Sequence, residues 1–219
     1  MSLAEHWDDV FRTKPRTDVS WFEAEPTTSL DLVKSVTTPS VSVIDIGAGT
    51  ADLARRLISD GYADVTVLDI SAIAIDSMAA SFPDADHKPA FVVADVTTWL
   101  PGRTYDVWHD RAVFHFMVTD ELRNGYTSAL TRAVCPGGFA IIGTFADDGP
   151  EQCSGITVAR HSAESIADFF SAEFDPVRSL SRIHRTPHGV DQHFVWVILR
   201  RCLRIRISTA QWRESCRGL

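Results

Sequence analysis

The sequence predicts an α/β fold: a doubly wound, mostly parallel seven-stranded sheet with a C-terminal antiparallel hairpin. Three observations predict it. Short β-branched runs alternate with helix-period segments between residues 41 and 173, the pattern of strand–helix–strand units. The stretch VIDIGAGTADLA (43–54) ends an apolar run in an acid and then turns on two glycines. The last two strand-like runs, PVRSLSRIHRT (176–186) and QHFVWVILRR (192–201), are separated only by PHGVD. A parallel pair needs a long crossover, so these two form a hairpin.

Each element follows from its own pattern. VSVIDI (41–46) is apolar enough to be buried on both faces of a sheet. In ADLARRLISD (51–60), Leu53, Leu57 and Ile58 share one helical face, and Gly61 closes the helix. DVTVLDI (64–70) is the second strand, and Ser71 caps the helix AIAIDSMAASF. AFVVADV (90–96) and YDVWHD (105–110) are the third and fourth strands. A helix over 119–134 stops before Cys135-Pro136-Gly137-Gly138, FAIIGTF (139–145) is the fifth strand, and residues 161–173 form another helix. No linker or internal repeat divides the chain. One domain is expected over residues 1–200, with an N-terminal lid over about 1–36 and a basic, flexible tail over 201–219. From Arg200 onward six arginines stand against the single Glu214.

The totals narrow the function classes. Hydrophobic residues at 45% and charged ones at 23% are ordinary globular values. A formal charge of −8 disfavours nonspecific binding to nucleic acid or to an anionic membrane. Cys135, Cys153, Cys202 and Cys216 show no CxxC spacing, so neither a zinc site nor a secreted disulfide framework is expected. The N-terminal MSLAEHWDDVF lacks the features of a signal peptide, and no apolar run reaches a membrane-spanning length. A soluble, cytoplasmic protein without a metal is the expectation.

Ligands of open α/β sheets collect at the carboxyl ends of the strands. Three strands end in acids there: Asp45, Asp69 and Asp95. Gly47 and Gly49 let a ligand approach the backbone closely. Asp69, about 20 residues beyond Gly49, is placed to accept from a ribose diol, and Asp95 from an adenine amino group. A nicotinamide or flavin dinucleotide and S-adenosylmethionine share that description. A pyrophosphate, however, seeks helix N-terminal N–H groups and positive potential. GAGTAD instead places Asp52 where GxGxxG has its third glycine. The sulfonium and ammonium of S-adenosylmethionine favour nearby carboxylates, so the balance moves to that cofactor.

With VIDIGAGTADLA, VTVLDIS, VVADVTTW, YDVWHDRAVFHF, CPGGFAIIGTF and the terminal hairpin, the sequence resembles the class I, seven-stranded S-adenosylmethionine-dependent methyltransferases. The resemblance spans roughly residues 4–200, with Ala51 standing where the family usually has a third glycine. A closer likeness is to the branch of elongation-factor lysine methyltransferases and related small-molecule enzymes, carried by HWDDVF (Trp7, Phe11) and VSWFEAEPTTSL (Trp21). These aromatics either pack an N-terminal helix on the sheet or, as the resemblance implies, close over the cofactor. The resemblance further assigns Asp45, Gly47 and Gly49 to the turn beside the methionine portion. It assigns Asp69 and Ile70 to the ribose, Asp95 and Val96 to the adenine, and Arg111 to a basic cofactor contact.

Methyl transfer needs an aligned nucleophile, removal of any proton it carries, and exclusion of water. WHDRAVFHF supplies His109, Asp110 and His115 as candidate catalytic groups. His109 is either a base or a structural hydrogen-bonding group, and His115, between two phenylalanines, is as readily a core histidine. GTFADDGPEQCSG supplies Asp147, Asp148, Glu151 and Cys153. The acid pair is either a solvated turn or a feature favouring a cationic acceptor, and Cys153 either packs or meets a thiol or metalloid substrate. The expected acceptor is a small molecule, with a protein lysine as the alternative. A noncatalytic cofactor binder and a nicotinamide-dependent oxidoreductase are the rival classes.

Overall fold

A computed structural model describes residues 2–82 and 88–203 of the 219. Two N-terminal helices, α1 (Leu3–Thr13) and α2 (Thr27–Val36), precede an alternating core. That core runs β1 (Ser42–Ile46), α3 (Leu53–Ser59), β2 (Asp64–Asp69), α4 (Ala72–Ala80), β3 (Ala90–Val93) and β4 (Tyr105–Arg111). It continues through α5 (Asp120–Ala133), β5 (Val134–Phe145), the short strands β6 (Gln152–Cys153) and β7 (Ile156–Thr157), and α6 (Ala163–Phe170). The hairpin β8 (Phe174–Arg185) and β9 (Asp191–Arg201) closes the fold. The seven-stranded sheet has the order β3-β2-β1-β4-β5-β9-β8; β9 runs antiparallel to both β5 and β8, and the other pairings are parallel. Strand order reverses between β1 and β4, which places a crevice at their carboxyl ends.

Alternation along the central strands divides the core into two layers. Ile44, Trp108 and Ile142 pack with Tyr126, Leu130 and Phe170 beneath α5 and α6. Val43, Val107 and Ile141 pack on the opposite face with Leu32, Leu57 and Ile75 beneath α2, α3 and α4. Both faces of the central strands are therefore covered, as a parallel sheet requires.

Several boundaries differ from the sequence expectation. β3 ends at Val93 rather than 96, because Asp95 starts a side-chain-closed turn: its Oδ1 accepts from Thr97 N at 2.8 Å and from Thr97 Oγ1 at 2.7 Å. The CPGG stretch lies inside β5 rather than before it, with a register shift between Tyr105 and Val107 of β4. Gly138 makes that contact possible, since a Cβ there would lie 2.8 Å from the Asp106 carbonyl oxygen. The helix expected over 161–173 is only Ala163–Phe170, capped by Ser162. The β6–β7 hairpin had no sequence-level counterpart; it turns through Ser154 and Gly155, both at positive φ. Most of the basic tail, residues 204–219, lies outside the described residues.

Candidate active site

The site is built from the turn after β1. Gly47 (φ 62°) and Gly49 (φ 52°) both occupy the left-handed region. A Cβ on Gly47 would stand 2.1 Å from Val113 Cγ2, and one on Gly49 would stand 3.0 Å from the Phe11 ring. The two glycines therefore form a bare backbone cradle that side chains would fill. Gly49 N donates to Asp69 Oδ2 at 2.8 Å, and Ser71 N donates to Asp69 Oδ1 at 2.8 Å. Burial pushes the Asp69 carboxyl up to about 6, with the Asp45 charge adding to the rise and the backbone donors opposing it.

A cavity opens beside this cradle. Its floor is Asp45, Gly47, Gly49, Asp69 and His109, and one wall is Ile70, Asp95, Val96 and Leu122. Trp7, Phe11 and Trp21 cover it, with Phe116 against Trp7 at 5.5 Å between ring centroids. Trp21 packs edge-on to both Trp7 (5.7 Å) and Phe11 (6.2 Å), so the cover is a single aromatic cluster. The cluster is tied down at several points. Asp8 on α1 accepts from Ser71 Oγ at 2.6 Å at the start of α4. Arg111 donates through Nη1 to Trp21 O at 2.9 Å, while its Nη2 lies 3.3 Å from Glu23 Oε1, an ion pair without hydrogen-bond alignment. Burial lowers the Arg111 guanidinium from its ordinary value, and Glu23 opposes that shift. His184 of β8 reaches Ser20 O through Nε2 at 2.7 Å. Glu23 would be raised by burial, but His184 and Arg111 together hold it below the ordinary carboxylate value.

Asp45 and His109 face the same side of adjacent strands, where they are register partners. Asp45 Oδ1 lies 2.7 Å from His109 Nδ1, both side chains are buried, and His109 Nε2 has no partner. Cys153, delivered by the β6–β7 hairpin, also lines the cavity; burial pushes its thiol up to about 11. Ala112 joins them from a left-handed conformation (φ 71°) that an L residue adopts only when its surroundings impose it.

The structure separates the candidate residues of the sequence. Trp7, Phe11, Trp21, Asp45, Gly47, Gly49, Asp69, Ile70, Asp95, Val96, His109, Arg111 and Cys153 meet at this cavity. Asp110 does not: it faces the opposite layer, where its carboxylate accepts from Val113 N (2.8 Å), Phe114 N (3.0 Å) and Tyr126 Oη (2.6 Å). His115 does not either. Its ring is fully buried against Phe116 and Phe145 without a hydrogen-bond partner, and burial drives its pKa down to about 3. A neutral core histidine of this kind has no access to a reacting group. Asp147, Asp148 and Glu151 are exposed, with Asp148 bound to His193 (2.7 Å) and Glu151 near Arg160 (3.2 Å).

Asp52 is also corrected: it pairs with Arg16 and Arg55 instead of facing a cationic ligand. The three strand-end acids are staggered rather than level, since Asp45 opposes Val67, Asp69 opposes Val93, and Asp95 lies past β3. Glu23, Ala112, Phe116 and Met117 line the cavity without having been singled out. For Glu23 the signal was its place two residues after Trp21; for the others, local sequence carried none.

The methyltransferase-domain family model matches residues 43–138, the stretch from β1 into β5. The mouse (Mus musculus) eEF1A lysine and N-terminal methyltransferase is 27% identical over 122 residues, covering 54% of this chain and 17% of that protein. The chain thus spans about a sixth of the length of the curated relatives it matches. Among solved structures, one concerned with conversion of a disulfide bond into a thioacetal group during echinomycin biosynthesis is 24% identical. The match covers 98% of each chain, with a TM-score of 0.75. The N-methyltransferase NodS from Bradyrhizobium japonicum WM9, in complex with S-adenosyl-L-homocysteine, is 13% identical. That alignment covers 90% of this chain and 98% of that one, with a TM-score of 0.67. The glycine cradle, the strand order and the stretch matched by the methyltransferase-domain model together give this chain a methyltransferase-like fold.

Proposed function

We propose that this enzyme transfers a methyl group from S-adenosylmethionine to a small-molecule acceptor bound beneath the aromatic cover. The carrying observation is the closure of the N-terminal segment over the cradle. Trp7, Phe11 and Trp21 lie on the cavity, and the backbone of residues 20 and 21 is tied to His184 and Arg111. An extended polypeptide needs an open groove, whereas this cover favours a compact acceptor.

The residues present fit the donor. Gly47 and Gly49 leave backbone space for its methionine portion. Asp69 and Ile70 serve the ribose, and Asp95 and Val96 the adenine. Arg111 acts through the cover it holds in place. When bound, the donor supplies an electrophilic methyl group on a sulfonium. The protein's part is to align the acceptor, to shed water through the aromatic cover and to accept a proton where one must leave. Among the described residues no helix is long and apolar enough to cross a membrane.

The second reading, a protein lysine acceptor, rests on the eEF1A methyltransferase relatives. Release of S-adenosylhomocysteine, followed separately with a metabolite pool and with total cell protein, tests the choice. Turnover with the metabolite fraction is expected. Turnover confined to protein would favour the lysine reading, and none with either would favour a noncatalytic binder.

A further inference from the structure

We infer that Asp45 and His109 form a proton-accepting dyad, and that the acceptor is a neutral molecule whose nucleophilic atom carries an acidic hydrogen, a thiol or a phenol. The inference rests on the methyltransferase reading above and adds to it the substrate class and the group that takes the proton.

A carboxylate only accepts, so Asp45 makes His109 Nδ1 the donor across their 2.7 Å contact. In the neutral ring that leaves Nε2 with a lone pair. This atom is buried and without a partner, on a ring that lines the cavity. Leaving such an acceptor unsatisfied is costly, so the ligand group that meets it must be a donor. The nearby ionic groups are already committed. Arg111 is held by Trp21 O and Glu23, and Asp45 by the ring itself. Among the described residues Arg111 is the one Lys or Arg that lines the cavity, so no uncompensated positive charge remains there to attract an anionic acceptor, and Asp45 is spent on orienting the ring. A neutral X–H group matches what remains. Both members of the dyad sit on central strands, and the imidazole packs on Trp196 at 5.9 Å, so the ring is fixed before a ligand arrives.

The step balances without another reactant. The X–H proton passes to His109 Nε2. The freed electron pair of X forms the bond to the methyl carbon as the carbon–sulfur bond breaks, and that pair stays on sulfur. One positive charge thus moves from the sulfonium to the imidazolium, where Asp45 stabilises it. Asp45 acts here as a positioning residue, fixing tautomer and orientation.

Three measurements test this together. ¹⁵N NMR of the ligand-free protein should show His109 protonated at Nδ1 only, and Asp45→Asn should shift that proton toward Nε2. His109→Gln should bind S-adenosylhomocysteine within about threefold of wild type, yet lose about 10²–10⁴-fold in turnover with a panel of alkyl thiols, thiophenols and phenols. The loss should shrink steadily for the more acidic thiophenols and nitrophenols, which arrive already ionised. Turnover of primary amines alone, or of no panel member while S-adenosylhomocysteine binds, overturns the inference. So does an even loss across the acidity series, or a loss of S-adenosylhomocysteine affinity in His109→Gln. A wild-type protein that does not bind S-adenosylhomocysteine would instead bring down the methyltransferase reading itself.

Discussion

In the proposed function the ribose of the donor is held by one buried carboxylate, Asp69. Truncation by Asp69→Ala should weaken S-adenosylhomocysteine binding by about 1–3 kcal/mol, because ribose hydroxyls lose their charged acceptor. Unchanged affinity in a folded variant would misplace the ribose. Its carboxyl is raised to about 6, so below that pH the free protein holds the proton and must release it to accept from a diol. Affinity should therefore rise roughly tenfold between pH 5 and pH 7 in calorimetry, a flat profile contradicting this. His115 gives a stability prediction of its own. Its folded pKa is lowered to about 3, so the unfolded chain takes the proton first, and its contribution is lost as pH falls from 6.5 toward 3. Asp69 and Asp110, both raised to about 6, act in the opposite sense: they favour the folded state below 3.8 and lose that effect as pH rises through 6. Only a comparison of variants isolates the histidine. Denaturant unfolding of His115→Leu should move in the variant's favour, relative to wild type, as pH drops from 6.5 to 4. A constant difference would show that His115 is not held neutral.

At the scale of elements, β4 decides which candidate groups reach the cavity. In YDVWHDR alternate residues face opposite layers, so His109 and Arg111 point one way and Asp110 the other. The sequence shows that alternation but not which layer holds the site; strand pairing with β1 supplies it. Asp110 instead links β4 to the following 3₁₀ turn and to α5, since Tyr126 donates to it and accepts from Trp108 Nε1 at 3.0 Å. Tyr126→Phe should cost about 1–3 kcal/mol in denaturant unfolding by leaving the indole N–H unsatisfied, with S-adenosylhomocysteine affinity retained. Loss of affinity without loss of stability would place this network at the site. The glycine turn was readable because positive φ demands glycine. The β6–β7 hairpin that delivers Cys153 was not, because two-residue strands leave no periodicity to read.

For the molecule as a whole, the parallel core and its terminal hairpin were legible from strand–helix alternation and from one short connection. The aromatic residues of the cover were visible too, but the contacts that seat it were not. Arg16–Asp52, Arg56–Glu25, Arg111–Trp21 and His184–Ser20 join positions 31 to 164 residues apart, beyond any local pattern. Exposed ion pairs among these contribute little individually, so the buried Arg111 contact should dominate. Arg111→Ala should speed limited proteolysis within residues 14–26 and lower S-adenosylhomocysteine affinity together; unchanged cleavage would show that the cover is held elsewhere. On the proposed function the cradle takes a phosphate-free nucleoside with a cationic sulfonium. Titration calorimetry of the protein against S-adenosylhomocysteine and against NAD tests it most directly. Saturable one-to-one binding of S-adenosylhomocysteine with no heat from NAD is the predicted result, and binding of NAD alone would contradict it.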